Sequence, residues 1–360
     1  MASSPNNSPT GRSPVSESLS SAMPDLAAEV ADGPTRARAR RFSAGNLVER
    51  WAGPAILVAL MVTFTIASPG IFLTSSNLLA VVNNQTIAAV VALGLLFPLA
   101  SGVFDISIGG VITLSVIVSA WMFQSTEGSM PVALVILLTL AVGATAGLIN
   151  AFLVVKLKID PFIVTLGSGS VFLGISQLIA NGQVISKDIP DGYTKLGRGE
   201  LLGVPNPIVL VIVLALVVFY VLEYTPLGRM VYATGAGREP ARLAGVPTDR
   251  ILFLAFVISA VCASLAGLLY TSRIGTGQPD VGGQYLLPCY AAAFLGSTMI
   301  KPGRFNVLGL LVGLGILAIG INGLQLEGIP FWMISTFQGG ALILAVVFAK
   351  VRTQKTAAGS

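Results

Sequence analysis

The chain has 360 residues, of which 54% are hydrophobic and only 10% charged, and its mean hydropathy is +0.84. Soluble domains carry about 25% charge, so this composition excludes a soluble globular protein and specifies a polytopic membrane protein. With no histidine, and with Cys262 and Cys289 in or beside apolar runs, there is no ligand set for a transition metal and no disulfide framework.

Residues 1–45 are rich in Ser, Pro and Ala and lack apolar periodicity, so they are expected to form a disordered cytoplasmic tail. The cluster Arg36, Arg38, Arg40 and Arg41 suits either an orientation signal or contact with anionic lipid headgroups. Arg40-Arg41-Phe42 resembles a twin-arginine export signal, but further apolar spans follow it and the likeness is set aside. The sequon Asn84-Gln85-Thr86 falls inside an apolar run and is read as chance.

From residue 52 onward, apolar runs recur at about the 20-residue length that a bilayer requires of a helix. They cover 52–68, 78–100, 106–124, 131–155, 161–181, 207–224, 249–270, 284–299, 306–323 and 330–349. The expected fold is therefore an all-α polytopic membrane protein of about ten transmembrane helices, some of them broken. Its transmembrane domain spans 46–350, and a cytoplasmic C-terminal tail follows at 351–360. Forty glycines favour close helix approach.

Ten spans put both termini on one side, and the basic residues mark that side as cytoplasmic. Arg12, Arg36, Arg38, Arg40, Arg41 and Arg50 precede the first span. Lys156 and Lys158 fall between the fourth and fifth, and Arg229, Arg238, Arg242 and Arg250 between the sixth and seventh. Lys301 and Arg304 separate the eighth and ninth, and Lys350, Arg352 and Lys355 follow the last. Of the 21 Lys and Arg, only Lys187, Lys195, Arg198 and Arg273 lie elsewhere. The net charge of +5 thus follows membrane topology and is no sign of a nucleic-acid partner. Most outer connections are short; 182–206 is the exception, long enough for a docking platform or a plain connector.

Between the sixth and seventh spans lies a polar stretch whose middle, 237–245, is flanked by glycines and closed by Pro247. It is too polar to cross a bilayer and too short for a domain. A cytoplasmic helix of about two turns capped by Gly245 is expected there, offered to something outside the membrane.

Asp105 stands between apolar runs with Gly102, Ser107, Gly109 and Gly110 around it. An acid at this depth hints at function, and the glycines permit a broken helix facing a path. Equally, Asp105 can cap the third span by accepting N–H bonds near Ser107 and Ile108. Few polar residues occur inside spans: Asn83, Asn84, Gln85, Asn150, Gln177, Asn322, Gln325 and Gln338. Such amides suit a neutral, hydroxyl-rich solute, or else helix–helix hydrogen bonds. Phe162, Phe172 and Phe331 offer stacking surfaces or simple packing. No Asp, Glu or His ladder exists for proton relay, which counts against the alternative of an ion-gradient-driven secondary transporter. No phosphate loop and no dinucleotide fingerprint is present, so the chain is not an enzyme and any ATP that drives it binds elsewhere.

Three stretches carry a family likeness: SGVFDISIGG at 101–110, LGRMVYATGAGREPARLAGV at 227–246 and LGSTMIKPGRFNVLGLLVG at 295–313. Together they resemble the permease family of bacterial ABC importers for ribose, xylose, arabinose, galactose and related sugars, including autoinducer-2 importers, over about residues 50–350. The second stretch holds the family's E-x-A-x-x-x-G core at Glu239, Ala241 and Gly245. Two departures stand out. Lys301-Pro302-Gly303-Arg304 replaces a more glycine-rich turn, and Val103-Phe104 separates Gly102 from Asp105 where several relatives have one residue. Both bear on substrate more than on mechanism.

The resemblance implies a multi-pass permease of the bacterial plasma (inner) membrane that binds no cofactor itself. Its implied partners are a second permease, identical or paralogous, an external or periplasmic substrate-binding protein, and a cytoplasmic ABC ATPase carrying ATP and Mg. Arg238, Glu239, Ala241, Arg242 and Gly245 are the expected contacts to that ATPase, with Glu239 and Arg242 able to pair with it or with each other. Gly102, Asp105, Ser107, Gly109, Asn83, Asn84 and Gln85 are expected along the path or its broken helices. Asn150, Phe162, Gln177, Asn322 and Gln338 are candidate solute contacts.

Overall fold

The computed structural model describes residues 44–358. The arginine cluster at 36–41 and nearly all of the expected N-terminal tail lie outside the described residues. The chain is mostly helical: α1 (Ala44–Ala67), α2 (Ser75–Asn84), α3 (Thr86–Ala100), α4 (Ile108–Ser125), α5 (Val132–Val155), α6 (Pro161–Ala180) and α7 (Asp191–Arg198) come first. A two-stranded hairpin, β1 (Glu200–Leu201) and β2 (Val204–Pro205), leads into α8 (Asn206–Tyr224), α9 (Pro226–Ala236), α10 (Arg238–Leu243), α11 (Thr248–Ile274), α12 (Gly283–Ser297), α13 (Val307–Leu326) and α14 (Phe331–Ala358). Every element after α1 belongs to the second of two units into which the chain divides, Val48–Ser360.

By length and composition, α4, α5, α6, α8, α11 and α13 are long and apolar enough to cross a membrane. The pair α2 and α3, bent by 43° at Gln85, adds a seventh if it counts as one span. The predicted second span is thus two helices. Helices α1, α12 and α14 lie over the first, eighth and tenth predicted runs but fall short of that measure, α12 because it has only 15 residues. Helix α14 continues to Ala358, well into the segment expected as a C-terminal tail.

Two helices form the centre. Every residue of α3 is buried, as expected of a helix that is apolar all round. Helix α11 packs against α3, α4 and α5, and small residues at the contacts make this possible. A Cβ placed at Gly143 or Gly147 of α5 would collide with Ser264 or with Val257 and Phe256 of α11, so this Gly-x-x-x-Gly pair sets the α5–α11 distance. Gly267 does the same against the Ile112 carbonyl of α4. Hydroxyls fill what remains polar: Ser115 Oγ donates to Ser264 Oγ at 2.9 Å, and Ser264 Oγ to the Thr139 carbonyl at 2.9 Å.

The long outer connection is folded. Tyr193 of α7 is buried and donates to the Leu268 carbonyl at 2.8 Å. Arg198 donates to the carbonyls of Arg273 and Ile274 at 2.7 and 2.6 Å, satisfying the unpaired C-terminal carbonyls of α11 and complementing its dipole. A bridge between Ile185 and Gly277 ties the connection's start to the loop after α11. Residues 182–206 are therefore a cap seated on the end of α11.

Candidate functional site

The segment between α3 and α4 carries the first candidate site. Helix α3 ends in a left-handed turn: Gly102 has φ +81°, and the N–H groups of Gly102 and Val103 reach back to the Leu99 and Pro98 carbonyls, both at 3.0 Å. Only glycine takes that backbone conformation without a steric penalty. The space beside it is also narrow, since a Cβ on Gly102 would sit 3.4 Å from the Gly235 Cα of α9. From this turn the chain runs without helix to Ser107, the residue just before α4.

Asp105 lies in that unwound stretch and is fully buried. Its Oδ1 accepts from Ser107 Oγ at 2.6 Å and from Ser107 N at 3.2 Å, and its Oδ2 accepts from Ser259 Oγ of α11 at 2.7 Å. The hydroxyl distances are those of well-formed O–H···O bonds. The Asp105 backbone N–H donates to the Tyr290 hydroxyl oxygen of α12 at 3.1 Å. Asn150 Nδ2 of α5 donates to Ser107 Oγ at 2.7 Å, while Asn150 Oδ1 is buried with no partner among the described residues. The start of α4 and helices α5, α11 and α12 thus meet in one network around Asp105, whose carboxyl is bonded directly by Ser107 and Ser259 and has no ion-pair partner among the described residues. Asp105 caps the start of α4 through Ser107 alone; the Ile108 N–H expected beside it is not bonded to it. Phe104, just before it, is 44% exposed and stacks on Tyr290 and Phe294 at 6.0 and 6.1 Å between ring centroids.

Gly109 sits where α4 meets the start of α12. A Cβ on Gly282 would overlap the Gly109 carbonyl, and Gly282 N donates to Thr113 Oγ1 at 2.9 Å. Asn83, Asn84 and Gln85 form a separate break, between α2 and α3. Arg273, at the end of α11, donates to the Asn83 carbonyl at 2.8 Å and to Asn84 Oδ1, placing a cation on the C-terminal carbonyls of α2. The sequence signalled Arg273 only as a basic residue outside the cytoplasmic set.

The expected solute contacts do not form one cluster. Asn150 belongs to the Asp105 network. Asn322 pairs with Asn77 of α2 through two amide hydrogen bonds of 3.0 and 3.1 Å. Phe162 and Gln177 are both exposed but sit near opposite ends of α6, about 22 Å apart at 1.5 Å per residue. Gln338 is half-buried on α14, and Phe172 is buried in the core. The Phe331 side chain lies outside what the structure describes.

The second candidate site is α10. Its six residues lead to Gly245, whose φ of +85° lets its N–H reach the Arg242 carbonyl and that of Val246 reach the Ala241 carbonyl, both at 3.0 Å. Ala241 alone faces inward; Arg238, Glu239, Arg242 and Leu243 are exposed. Glu239 and Arg242, read from the sequence as a potential pair, make no ion pair with each other. Leu243 is 87% exposed, an apolar knob beside arginine that the family core motif does not mark.

The joint next to α10 is tied to the loop between α12 and α13. Lys301 Nζ lies 2.6 Å from Glu223 Oε2, and Arg304 Nη2 lies 4.0 Å from the same oxygen. The Arg304 guanidinium covers the Tyr232 ring at 3.6 Å, and Tyr232 donates to the Phe305 carbonyl at 2.6 Å. Burial raises the Tyr232 phenol above its ordinary range, with Arg304 opposing, so it stays a donor. From the sequence, Lys301 and Arg304 registered only as an odd turn and a topological charge.

Against known proteins, residues 77–346 match the family described as branched-chain amino acid transport system / permease component. The chain is 32% identical over 298 residues to the ribose import permease protein RbsC of Bacillus subtilis (strain 168), covering 82% of this chain and 91% of that one. It is 30% identical over 294 residues to RbsC of Haemophilus influenzae, covering 81% and 90%. Identity to the autoinducer 2 import system permease protein LsrD of Escherichia coli O9:H4 (strain HS) is 31% over 298 residues, covering 81% and 89%. No solved structure matches.

Proposed function

This chain belongs to the branched-chain amino acid transport system / permease component family, and from that premise we propose that it is the membrane passage of an ATP-driven importer for a monosaccharide or similar small polyol. Its relatives are named as ribose and autoinducer 2 import permeases, and the uncharged amides along its helices suit the same class of solute. In this reading, ten spans place both termini in the cytoplasm of a bacterial inner membrane, and the segment before α1 is a cytoplasmic tail. A second permease, identical or paralogous, completes the passage. A binding protein delivers solute from outside, and a separate ATPase holds ATP and Mg.

The observation that carries the energy-coupling part is α10, which offers Arg238, Glu239, Arg242 and Leu243 to solvent and anchors only Ala241. A short helix bounded by a glycine at each end suits a lever pushed by a partner. Motion there passes to α9, whose Gly235 lies against the Ala100 carbonyl and Gly102, and so to the unwound stretch holding Asp105. Tilting that stretch with α11 would open the passage alternately to each side.

The test is reconstitution of the chain with its ATPase and binding protein in proteoliposomes, followed by labelled sugar uptake. Uptake is expected to need ATP hydrolysis and to survive collapse of the ion gradients. Uptake by the purified chain alone, or uptake abolished by ionophores with ATP present, refutes the reading.

A further inference from the structure

We propose that a cavity between α4, α6 and the start of α12 is a transit subsite for one small, uncharged, hydroxyl-bearing ring. The inference rests on reading the chain as a sugar permease and assigns a place and a chemistry to the solute. The cavity measures ≈ 150 Å³, a size that in an engineered protein core admits a benzene ring. It therefore has room for one pyranose or furanose ring.

Its lining suits such a ring. Leu166, Leu173 and Leu286 supply apolar wall, the surface on which the C–H face of a sugar rests. Ser170 and Asp280 supply the polar groups, and both are exposed at the mouth. Ser170 Oγ donates to the Leu166 carbonyl at 3.1 Å, which leaves its lone pairs free to accept from a solute hydroxyl. Asp280 makes no ion pair among the described residues, so its carboxylate oxygens are open to hydroxyl donors. Among the described residues, no lysine or arginine lines the space. An anionic solute would meet the Asp280 carboxylate with nothing to offset it, which selects against phosphorylated or acidic sugars.

The cavity is also built into the moving part. In its wall, Ile106 lies in the unwound stretch before α4 and Gly109 in the first turn of α4. Opposite them, α6 approaches so closely that a Cβ on Gly169 would lie 3.2 Å from the Ser107 Cα. Any shift of the Asp105–Ser107 stretch therefore reshapes the space. Thr113, although it lines the cavity, is already engaged: it donates to the Gly109 carbonyl at 3.1 Å and accepts from Gly282 N. It holds the wall and leaves solute contact to Ser170 and Asp280.

The experiment uses the full chain in its assembled importer, carrying Ser170→Cys. Cys262 and Cys289 are buried, and the wild-type chain serves as the check that they stay silent. The water-soluble thiol reagent MTSET is added, its attachment is followed by mass, and uptake of D-ribose, D-xylose and D-galactose is measured. Attachment should proceed from water and cut uptake by about tenfold or more, because the added group fills a ring-sized space; dithiothreitol should restore uptake. As a second variant, Asp280→Asn should raise KM several-fold and leave kcat in place. The proposal is overturned if the introduced thiol is reached only by lipid-soluble N-ethylmaleimide, if its modification leaves uptake unchanged, or if Asp280→Asn leaves KM unchanged. Failure of the wild-type importer to take up any sugar would instead sink the sugar-permease reading. The labelling by mass would still report whether water reaches the cavity.

Discussion

Replacing Leu243 by glutamate separates a docking lever from an ordinary surface turn. Leu243 is 87% exposed at the end of α10, and its neighbour Ala241 alone anchors that helix. Substitution at such an exposed position costs the permease fold within about 0.5 kcal/mol, so insertion and melting temperature should not change. If α10 enters a groove of the ATPase, the leucine loses its water on docking. Burying a leucine side chain fully is worth about 1.5–3 kcal/mol, and each 1.4 kcal/mol corresponds to about tenfold in dissociation constant. Leu243→Ala should therefore weaken ATPase binding by about ten- to a hundredfold, and Leu243→Glu by more, because a carboxylate must then be desolvated in the groove. The measurement is titration of the ATPase subunit onto the permease in nanodiscs, with ATP-driven uptake in parallel. Wild-type affinity for Leu243→Glu, with the protein properly inserted, would show that α10 does not enter the partner.

Other consequences of the geometry can be measured on the same material. Gly110→Ala places a Cβ 2.9 Å from the Gly169 Cα and closer still to its carbonyl oxygen, nearer than real Cβ atoms come; forcing α4 and α6 apart should cost about 1–3 kcal/mol. The control Gly174→Ala meets nothing within 4 Å and should hold or slightly raise the melting temperature in detergent. Asp105→Ala strands the Ser107 and Ser259 donors in a buried site, at about 1–3 kcal/mol for each unsatisfied group. Asp105→Asn keeps an acceptor for Ser107 and should fall between Ala and wild type in both stability and uptake; equal behaviour of all three would remove Asp105 from the working parts. Glu223→Gln releases Lys301 and Arg304, whose side chains are 42% and 40% exposed. That exposure limits the loss to about 1 kcal/mol or less, and the expected sign is faster amide exchange at 298–306.

The membrane class and most helix positions were legible because apolar run length and basic-residue placement are both written locally. Pro161 and Asp160 start α6, with Asp160 accepting from the Phe162 and Ile163 N–H groups at 2.9 and 3.3 Å, and a polar cap followed by proline is a helix start that the residue order alone displays. The break at Gly102 was legible for the same reason, since a glycine beside a polar residue between apolar runs interrupts a helix. At the bend at Gln85 the polar run Asn83-Asn84-Gln85-Thr86 marked a place for a broken helix, but not what holds it: Arg273, 190 residues away, binds the Asn83 carbonyl.

Local and distant causes divide the candidate sites in the same way. The short polar helix and its cap Gly245 stood out because such a segment between spans must be punctuated by its own residues, while Glu239 and Ala241 stood out through the family resemblance. Asp105 stood out because an acid among apolar residues is anomalous wherever the chain folds. Its partners Ser259 and Tyr290 did not, since a serine or tyrosine in a span is ordinary until another helix brings a carboxylate or an unwound backbone to it. Among the amides, Asn322 likewise depends on a distant partner. Nothing near Asn322 in the sequence announces Asn77; the pair uses one donor and one acceptor of the Asn322 amide, whose second N–H stays open among the described residues. Composition can say that polar groups exist inside a membrane protein, but whether they bind solute or one another depends on pairings across more than a hundred residues. The two groups that keep unused hydrogen-bonding capacity beside a ring-sized space, Ser170 and Asp280, carry no local mark at all: one looks like helix filler and the other like a loop acid.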